Sequence, residues 1–395
     1  MTTTDQMTPN QPTDPNLALP DELDIETEAE SEARVYVASQ LRLTWWRFMR
    51  HKPAMVSAAI VLLLYVVALL AEFLAPYSAD SYRAGYAYAP PQRLHIIEQT
   101  AQGPRLNLYV YAHKMVIDVA AQRRTYGLDK EKIVPVRFLV KGQSYKLFGR
   151  IATNRHFIGP ADPQEYVFFL GSDRMGRDVF SRLIFGTRVS MSIGLVGVTV
   201  SLLLGILLGG ISGLYGGAID TLIQRVIEFL RSIPTIPLWL GLAAALPPDW
   251  SPLRVYFGIT IILSLIGWTG LARVVRGRFL SLRKEDFVMA ARLDGTSEMR
   301  IIWEHMVPSF LSHIIASVTL AIPGMIISET SLSFLGLGLR PPVVSWGVLL
   351  QDAQNVYSVA RAPWLMTPAL AVMLAVVALN FLGDGLRDAA DPYVR

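Results

Sequence analysis

Six stretches of this chain carry no Asp, Glu, Lys or Arg over about the length that a bilayer-crossing helix needs: Ala54–Ala71, Val189–Ile219, Ser232–Pro248, Val255–Ala272, Met306–Ser328 and Ala362–Gly383. A helix rising 1.5 Å per residue needs roughly 20 apolar residues to cross the hydrocarbon core. The windows therefore predict an all-α integral membrane protein of six transmembrane helices, one N-terminal anchor span followed by a five-span core. The third window is the weakest, with Pro234 and Pro237 near its start and Pro247-Pro248 at its end. Its helix is expected to begin upstream, near Ile223, with Arg225, Glu228 and Arg231 on one face of the wet end. Composition agrees: 52% of residues are hydrophobic and 17% charged, against about a quarter charged in soluble domains.

The basic residues orient the spans. Segments 41–53, 220–231, 273–305 and 384–395 hold 15 Lys and Arg, whereas 249–254 and 329–361 hold 3. By the positive-inside rule both termini are cytoplasmic and residues 72–188 form a long outside segment, exempt from the count because of its length. The net charge of +4 reflects this topology and gives no reason to invoke nucleic acid. Residues 1–33 hold nine acids and no Lys or Arg, so residues 1–40 are expected to be a disordered acidic cytoplasmic tail. The first apolar run starts too late and is too long for a cleavable signal peptide, so 41–75 is expected to be a retained anchor region. Within the outside insertion, 76–170, three stretches are rich in strand formers: Leu108–Ile117, Ile133–Val140 and Ser144–Ile151, with Lys141-Gly142-Gln143 expected as a hairpin turn. A small β-rich extracytoplasmic lobe follows. It could serve as a docking surface for an external binding protein or be an elaboration without a transport role.

Chemistry is sparse. There is no cysteine. The six histidines, His51, His95, His113, His156, His305 and His313, include no i, i+4 pair, so no metal site is expected. No nucleophile–base constellation stands out and no G-x-x-x-x-G-K-[ST] loop occurs, so the chain is read as a non-enzyme that binds no nucleotide of its own. Glu329 ends the fifth span among apolar residues. It could face a conduit and meet a cationic group; the preferred reading is a structural pair with an arginine, or a cap near the outer interface. Pro323-Gly324 should kink or hinge the same span, and Asn380 in the sixth is expected to bond between helices.

The loop between the fourth and fifth spans, 273–308, is the most informative segment. A short helix over 285–293 with Phe287, Ala290 and Ala291 near one face and Leu293 a further candidate for it, a break at Gly295, a cap at Thr296 or Ser297, and Pro308 opening the next span describe a helix–turn–helix elbow. Ala290, Ala291, Gly295 and Pro308 fall at the spacing of the cytoplasmic loop motif (Glu-Ala-Ala, three residues, Gly, and a Leu-Pro ending) of permeases from binding-protein-dependent ABC importers, which this sequence resembles. It departs from the motif with Met289 for Glu, His305 for Ile and Val307 for Leu, as in the dipeptide/oligopeptide/nickel branch. The stretches Gly171–Arg182, Glu329–Gly338, Pro341–Gly347 and Asn380–Asp388 resemble other motifs of that branch. Together the resemblance covers 41–75 and 165–395, with 171–395 as the permease core. It implies that Glu285, Ala290, Ala291, Asp294, Gly295 and Pro308 couple to a separate ATPase, and that the remaining partners are a second permease, a second ATPase and an extracytoplasmic solute-binding protein. It implies ATP-Mg on the partners, a bacterial inner-membrane location and import of di- or oligopeptides. Nickel complexes, oligosaccharides or other small solutes are the substrate alternatives. An ATP-independent channel or a membrane scaffold are the rival classes; both leave the elbow unexplained.

Overall fold

The computed structural model describes residues 40–100, 103–118 and 123–390. The acidic tail expected over 1–40 lies, apart from Gln40, outside them. Helix α1 (Gln40–Arg50) turns at His51, whose Nδ1 accepts the Ala54 amide at 3.1 Å, into α2 (Lys52–Leu69). Pro53 in the first turn removes an amide that would have had no partner there. After the insertion come α3 (Val179–Tyr215), α4 (Gly217–Ser232), α5 (Thr235–Ala244) and α6 (Pro252–Leu282). The elbow helix α7 (Asp286–Leu293) leads through 298–309 to α8 (Leu311–Phe334). Two short helices, α9 (Trp346–Gln351) and α10 (Val356–Arg361), precede α11 (Thr367–Ala390).

Five helices have the length and hydropathy to cross a membrane: α2, α3, α6, α8, and α11 with the turn before it. The third window is different. It holds only α5, which with α4 before it makes a pair bent by 86°. Pro234 causes the bend: Ile233 before it is extended (φ −84°, ψ 129°), as a residue preceding proline tends to be. At 10 residues, α5 rises only about 15 Å. The pair nevertheless carries the chain across, because α3 and α6 are parallel neighbours. The Ser264 hydroxyl donates to Gly197 O at 2.9 Å, a Cβ on Gly209 would lie 2.5 Å from Ala272 O, and one on Gly213 would lie 2.6 Å from Phe279 Cβ. Both helices thus descend together, and the connection between them must return to the starting face. Its two ends confirm this. Asp220 of α4 accepts Arg276 in two bonds of 2.6 Å near the end of α6, and Leu246, just after α5, sits beside Gly258 near the start of α6.

Small residues permit this close approach, as expected where lipid gives helices no hydrophobic reason to associate. Helix α8 runs antiparallel to α3, with Ile322 and Ile326 against Gly194 and Met325 against Gly197. The molecule therefore has two faces. One holds the elbow, the α1–α2 junction and the end of α11, where Gly385 meets Ala54 and Thr44 lies 3.5 Å from Ser312. The opposite face holds the insertion.

The insertion is a four-stranded antiparallel meander: β1 (His95–Thr100), β2 (Gly103–Asp118), β3 (Arg123–Leu147) and β4 (Ile151–Pro160). Its small core is Val110, Val134, Val136 and Val167. The expected turn at Lys141-Gly142-Gln143 is instead an irregularity within the continuous strand β3. There the bare Gly142 backbone admits the His156 ring; a Cβ would lie 2.6 Å from it. His156 bonds Gln143 O at 3.0 Å and Ala75 O at 2.6 Å, tying the strand to the end of the first span. The turn falls at Phe148-Gly149, both with positive φ (52° and 71°), the twist that suits a tight hairpin.

Candidate functional site

The elbow is built from the ends of α3 and α6 upward. Helix α7 begins after Glu285, which sits in the cap position without a side-chain cap bond. From that start, Val288 and Ala291 face inward and join Phe279, Ile301, Ile302 and Met306 in one buried cluster. Ala290 therefore does not share a face with Ala291. It is exposed, together with Phe287, Met289 and Leu293, the last 86% exposed. Sequence neighbours stand about 100° apart on a helix, and the edge of the buried stripe set by Val288 and Ala291 falls between Ala290 and Ala291, so the expected grouping of Phe287, Ala290 and Ala291 divides.

Asp294 closes α7, and Gly295 follows with φ +75° and nothing within 4 Å of an added Cβ. That glycine is required by backbone conformation, not by space. Ser297 takes the next cap position without a side-chain bond. The chain then widens into a π-helical turn over Ile301–Met306, where the Val307 amide reaches Ile302 O. Pro308 is exposed in a short helical turn, Val307–Ser309, whose Val307 is buried, and the helix breaks at Phe310 (φ −132°, ψ 28°) before α8 starts. Pro308 therefore precedes the span across a kink instead of opening it.

The opposite ends of α3 and α8 carry the buried polar groups. Glu329 is 0% exposed, and its carboxyl oxygens accept the hydroxyls of Ser345 at 2.7 Å, Ser333 at 2.8 Å and Ser190 at 3.3 Å. Its partners are hydroxyls, not an arginine. Each serine in turn accepts a backbone amide: Val348 on Ser345, Leu339 on Ser333 and Trp346 on Ser190. The sequence separated these residues into three stretches; the fold brings them to one point, and Ser190 carried no local signal at all. Pro323 is buried within α8, whereas Gly324 and Asn380 are exposed on the surface of this single chain.

A second cluster, which sequence reasoning did not assign, joins the insertion to α3. Asp173 accepts the amides of Met175 (2.8 Å) and Arg177 (3.0 Å), pairs with Arg177 Nε at 2.7 Å and contacts Arg182. Ser172 exchanges backbone and side-chain bonds with Ala89, and Tyr77 N donates to Ser181 Oγ at 3.2 Å. Asp178 caps α3 through the Ser181 amide at 2.7 Å and the Ser181 hydroxyl at 2.6 Å; burial pushes its carboxyl up to about 7. Gly171–Arg182 is thus a clasp that fixes the insertion on the bundle.

Residues 203–395 match the family model described as binding-protein-dependent transport system inner membrane component, and 39–91 match the N-terminal TM domain of oligopeptide transport permease C. The chain is 36% identical to the dipeptide transport system permease protein DppC of Bacillus subtilis, over 58% of this chain and 69% of that one. It is 39% identical to the oligopeptide transport system permease protein OppC of Haemophilus influenzae, over 61% and 75% of the two chains. To OppC of Bacillus subtilis it is 35% identical, over 58% and 72%. The elbow, the clasp and the serine-ringed glutamate thus stand in a chain that belongs to the inner-membrane permeases of binding-protein-dependent ABC importers, in the dipeptide/oligopeptide C-subunit branch.

Proposed function

We propose that this chain forms, with a second related permease, the path by which di- or oligopeptides enter a bacterial cell, and that two separate ABC ATPases drive it through the elbow. The observation that carries the reading is the division of α7. Val288 and Ala291 bind the helix to the ends of α3 and α6, while Phe287, Ala290 and Leu293 stay uncovered. Buried residues that move with the spans and exposed apolar ones that a partner could grip are what a force-transmitting contact needs. Glu285, Asp294 and Gly295 set the limits of that helix, and Pro308 with the kink at Phe310 passes its movement to α8. The basic-residue bias puts the elbow and both termini in the cytoplasm and the insertion outside, where a solute-binding protein would deliver substrate. ATP and Mg would bind the partners; this chain would bind no cofactor and perform no catalysis.

Pro323 and Gly324 are assigned to a gate in α8, with Gly324 exposed towards a second permease. Asn380, exposed on α11, is assigned to that surface or the path. Glu329 holds the outer end of the path in shape through its serines. The names of the relatives support peptides as substrates. The test is gentle purification of the tagged chain from its host with mass spectrometry of what accompanies it, combined with uptake of labelled di- and oligopeptides in cells with and without the gene. P-loop ATPases, a second permease and gene-dependent peptide uptake are expected. The chain recovered alone even after crosslinking would sink the coupling reading; intact partners without peptide uptake would sink only the substrate.

A further inference from the structure

The β3–β4 hairpin has a composition unlike the rest of the lobe. Residues 137–155 contain Arg137, Lys141, Lys146, Arg150 and Arg155 and no acidic residue. Among the described residues no carboxylate forms an ion pair with any of the five. Lys141 and Arg155 even stand directly opposite each other across the two strands, where like charges destabilise a sheet unless something neutralises them. Between these cations, large apolar side chains point away from any core: Phe138, Leu139, Phe148 and Ile151 are each at least half exposed, with Phe148 at 51% and Ile151 at 60%.

The hairpin is also placed low. His156 bonds Ala75 O, the Phe157 ring meets Phe73 at 5.9 Å, and the Ser78 amide donates to Gln143 at 3.3 Å, so the strands start at the end of the first span. The tip goes further. Phe148 and Gly149 share an open groove of about 420 Å³ with Tyr65, Leu69, Arg188 and Leu195. Tyr65 lies four residues inside α2, about 6 Å below its end, and Leu195 lies seven residues beyond Arg188, about 10 Å deeper along α3. Arg188 itself is neutralised, with its guanidinium bonded to Glu72 at 2.6 Å and to Ala68 O at 2.7 Å. The tip therefore reaches beside the apolar part of the spans, next to the exposed surface of α2 that carries Leu62, Leu63, Val66 and Leu69.

We propose that the β3–β4 hairpin is seated in the lipid leaflet on the lobe face, with Phe148 and Ile151 in the acyl boundary and Lys146, Arg150 and the Lys141/Arg155 pair on anionic lipid headgroups. Cations interspersed with exposed aromatic and aliphatic side chains are the pattern of a segment lying in a membrane interface, the charged ends reaching the headgroups along their apolar stems. Continuity with α2 and the uncompensated charge both select lipid as the occupant. This arrangement pins the lobe to the bilayer at a second point, besides its clasp on α3, and does not depend on what the protein transports.

This chain contains no cysteine, so an introduced one is its single labelling site. The full chain, with the subunits that accompany it, is placed in nanodiscs containing phosphatidylglycerol and labelled with an environment-sensitive fluorophore at Phe148→Cys or Ile151→Cys. Leu62→Cys on α2 serves as the lipid control and Leu106→Cys, 89% exposed on β2, as the water control. Labels at 148 and 151 are expected to lose most of their fluorescence to doxyl lipids, as at 62, and little to aqueous iodide. Lys146→Glu with Arg150→Glu should move the 148 label towards iodide. Iodide quenching like that at 106 overturns the proposal. Shielding from both quenchers also overturns it, because a protein partner would then cover the hairpin. Two label sites, each judged against native-like monodispersity, guard against one substitution disturbing the turn.

Discussion

The two ends of the α3–α8 pair are finished in opposite ways. At the lobe face, Glu329 is wholly buried and its three serine hydroxyls each accept an amide in turn, so the carboxyl group and these hydroxyls are satisfied inside the chain. At the elbow face, Phe287, Met289 and Leu293 are left uncovered on a helix of eight residues. A helix that short is not stable by itself; two inward residues on a shared core hold it. The contrast teaches that the lobe-face end is braced within this chain, whereas the elbow leaves apolar surface open, as the proposed contact with an ATPase would need. Substitutions at the brace should be felt in stability, and those on the elbow's outer side only when the partner is present.

Gly295→Val should have the largest effect. With φ at +75° a β-branched side chain is strained by about 1–2 kcal/mol, and no neighbour obstructs it. The strain is relieved by re-angling α7 against 298–309. Transport should fall by about five- to thirtyfold, since 1.4 kcal/mol is a factor of ten, while membrane insertion persists. Asn, which tolerates this backbone region, should be the mildest replacement and Ala intermediate. An uptake assay over the three variants checks the order; equal uptake in all would mean that the elbow angle does not matter and would remove the functional half of the comparison.

Glu329→Ala comes next. It leaves three buried hydroxyls without their acceptor, at about 1–3 kcal/mol for each one that finds no replacement. The melting temperature in detergent should drop clearly, with Glu329→Gln dropping less because the amide oxygen still accepts. Transport lost with the melting temperature unchanged would show that Glu329 acts on substrate or gating instead of bracing, and the two ends would no longer differ in kind.

What was legible in the sequence follows the range of the physics. The apolar spans could be read because the bilayer demands about 20 local residues, and Gly295 because its conformation is a local property. The bend at Pro234 had its proline in view, but its 86° depends on α4 packing against Trp268 and on Leu246, just after α5, seating beside Gly258, both partners lying on α6. The hairpin turn was misplaced because Gly142 answers to a distant ring, His156, and not to its own turn. The partners of Glu329 come from α3 and from the loop before α9, so no window around 329 contains the whole set. Ala290 and Ala291 divided because they stand about 100° apart on α7, and the core that covers only one of them is supplied from outside the helix by Phe279, Ile301 and Ile302.

The comparison can be sharpened inside α7 alone. Val288→Ser opens the shared core and should cost about 2 kcal/mol, lowering the melting temperature of the chain with or without partners. Leu293→Ser, on the exposed side, should stay within about 0.5 kcal/mol in the isolated chain. It should nonetheless reduce the ATPase recovered with the chain. A Leu293 variant that melts early and keeps its ATPase would reverse the assignment of inner and outer sides.

The clasp, which belongs with the brace, is tested by a readout of another kind, a change of slope with pH. The folded Asp178 carboxyl titrates at about 7, raised by burial from an ordinary value near 3.8. The folded chain therefore holds a proton that the unfolded chain has released between those values. The stability tied to that proton is fully present below about pH 4 and lost as pH rises through 7. Asp178→Asn keeps an acceptor for the Ser181 amide and cannot titrate, so melting temperature plotted against pH should lose part of its decline between about 4 and 7 while the elbow variants keep the wild-type slope. If Asp178→Asn and Leu293→Ser shift that slope alike, the pH dependence resides elsewhere, and the clasp is held by Asp173 and its arginines without help from Asp178.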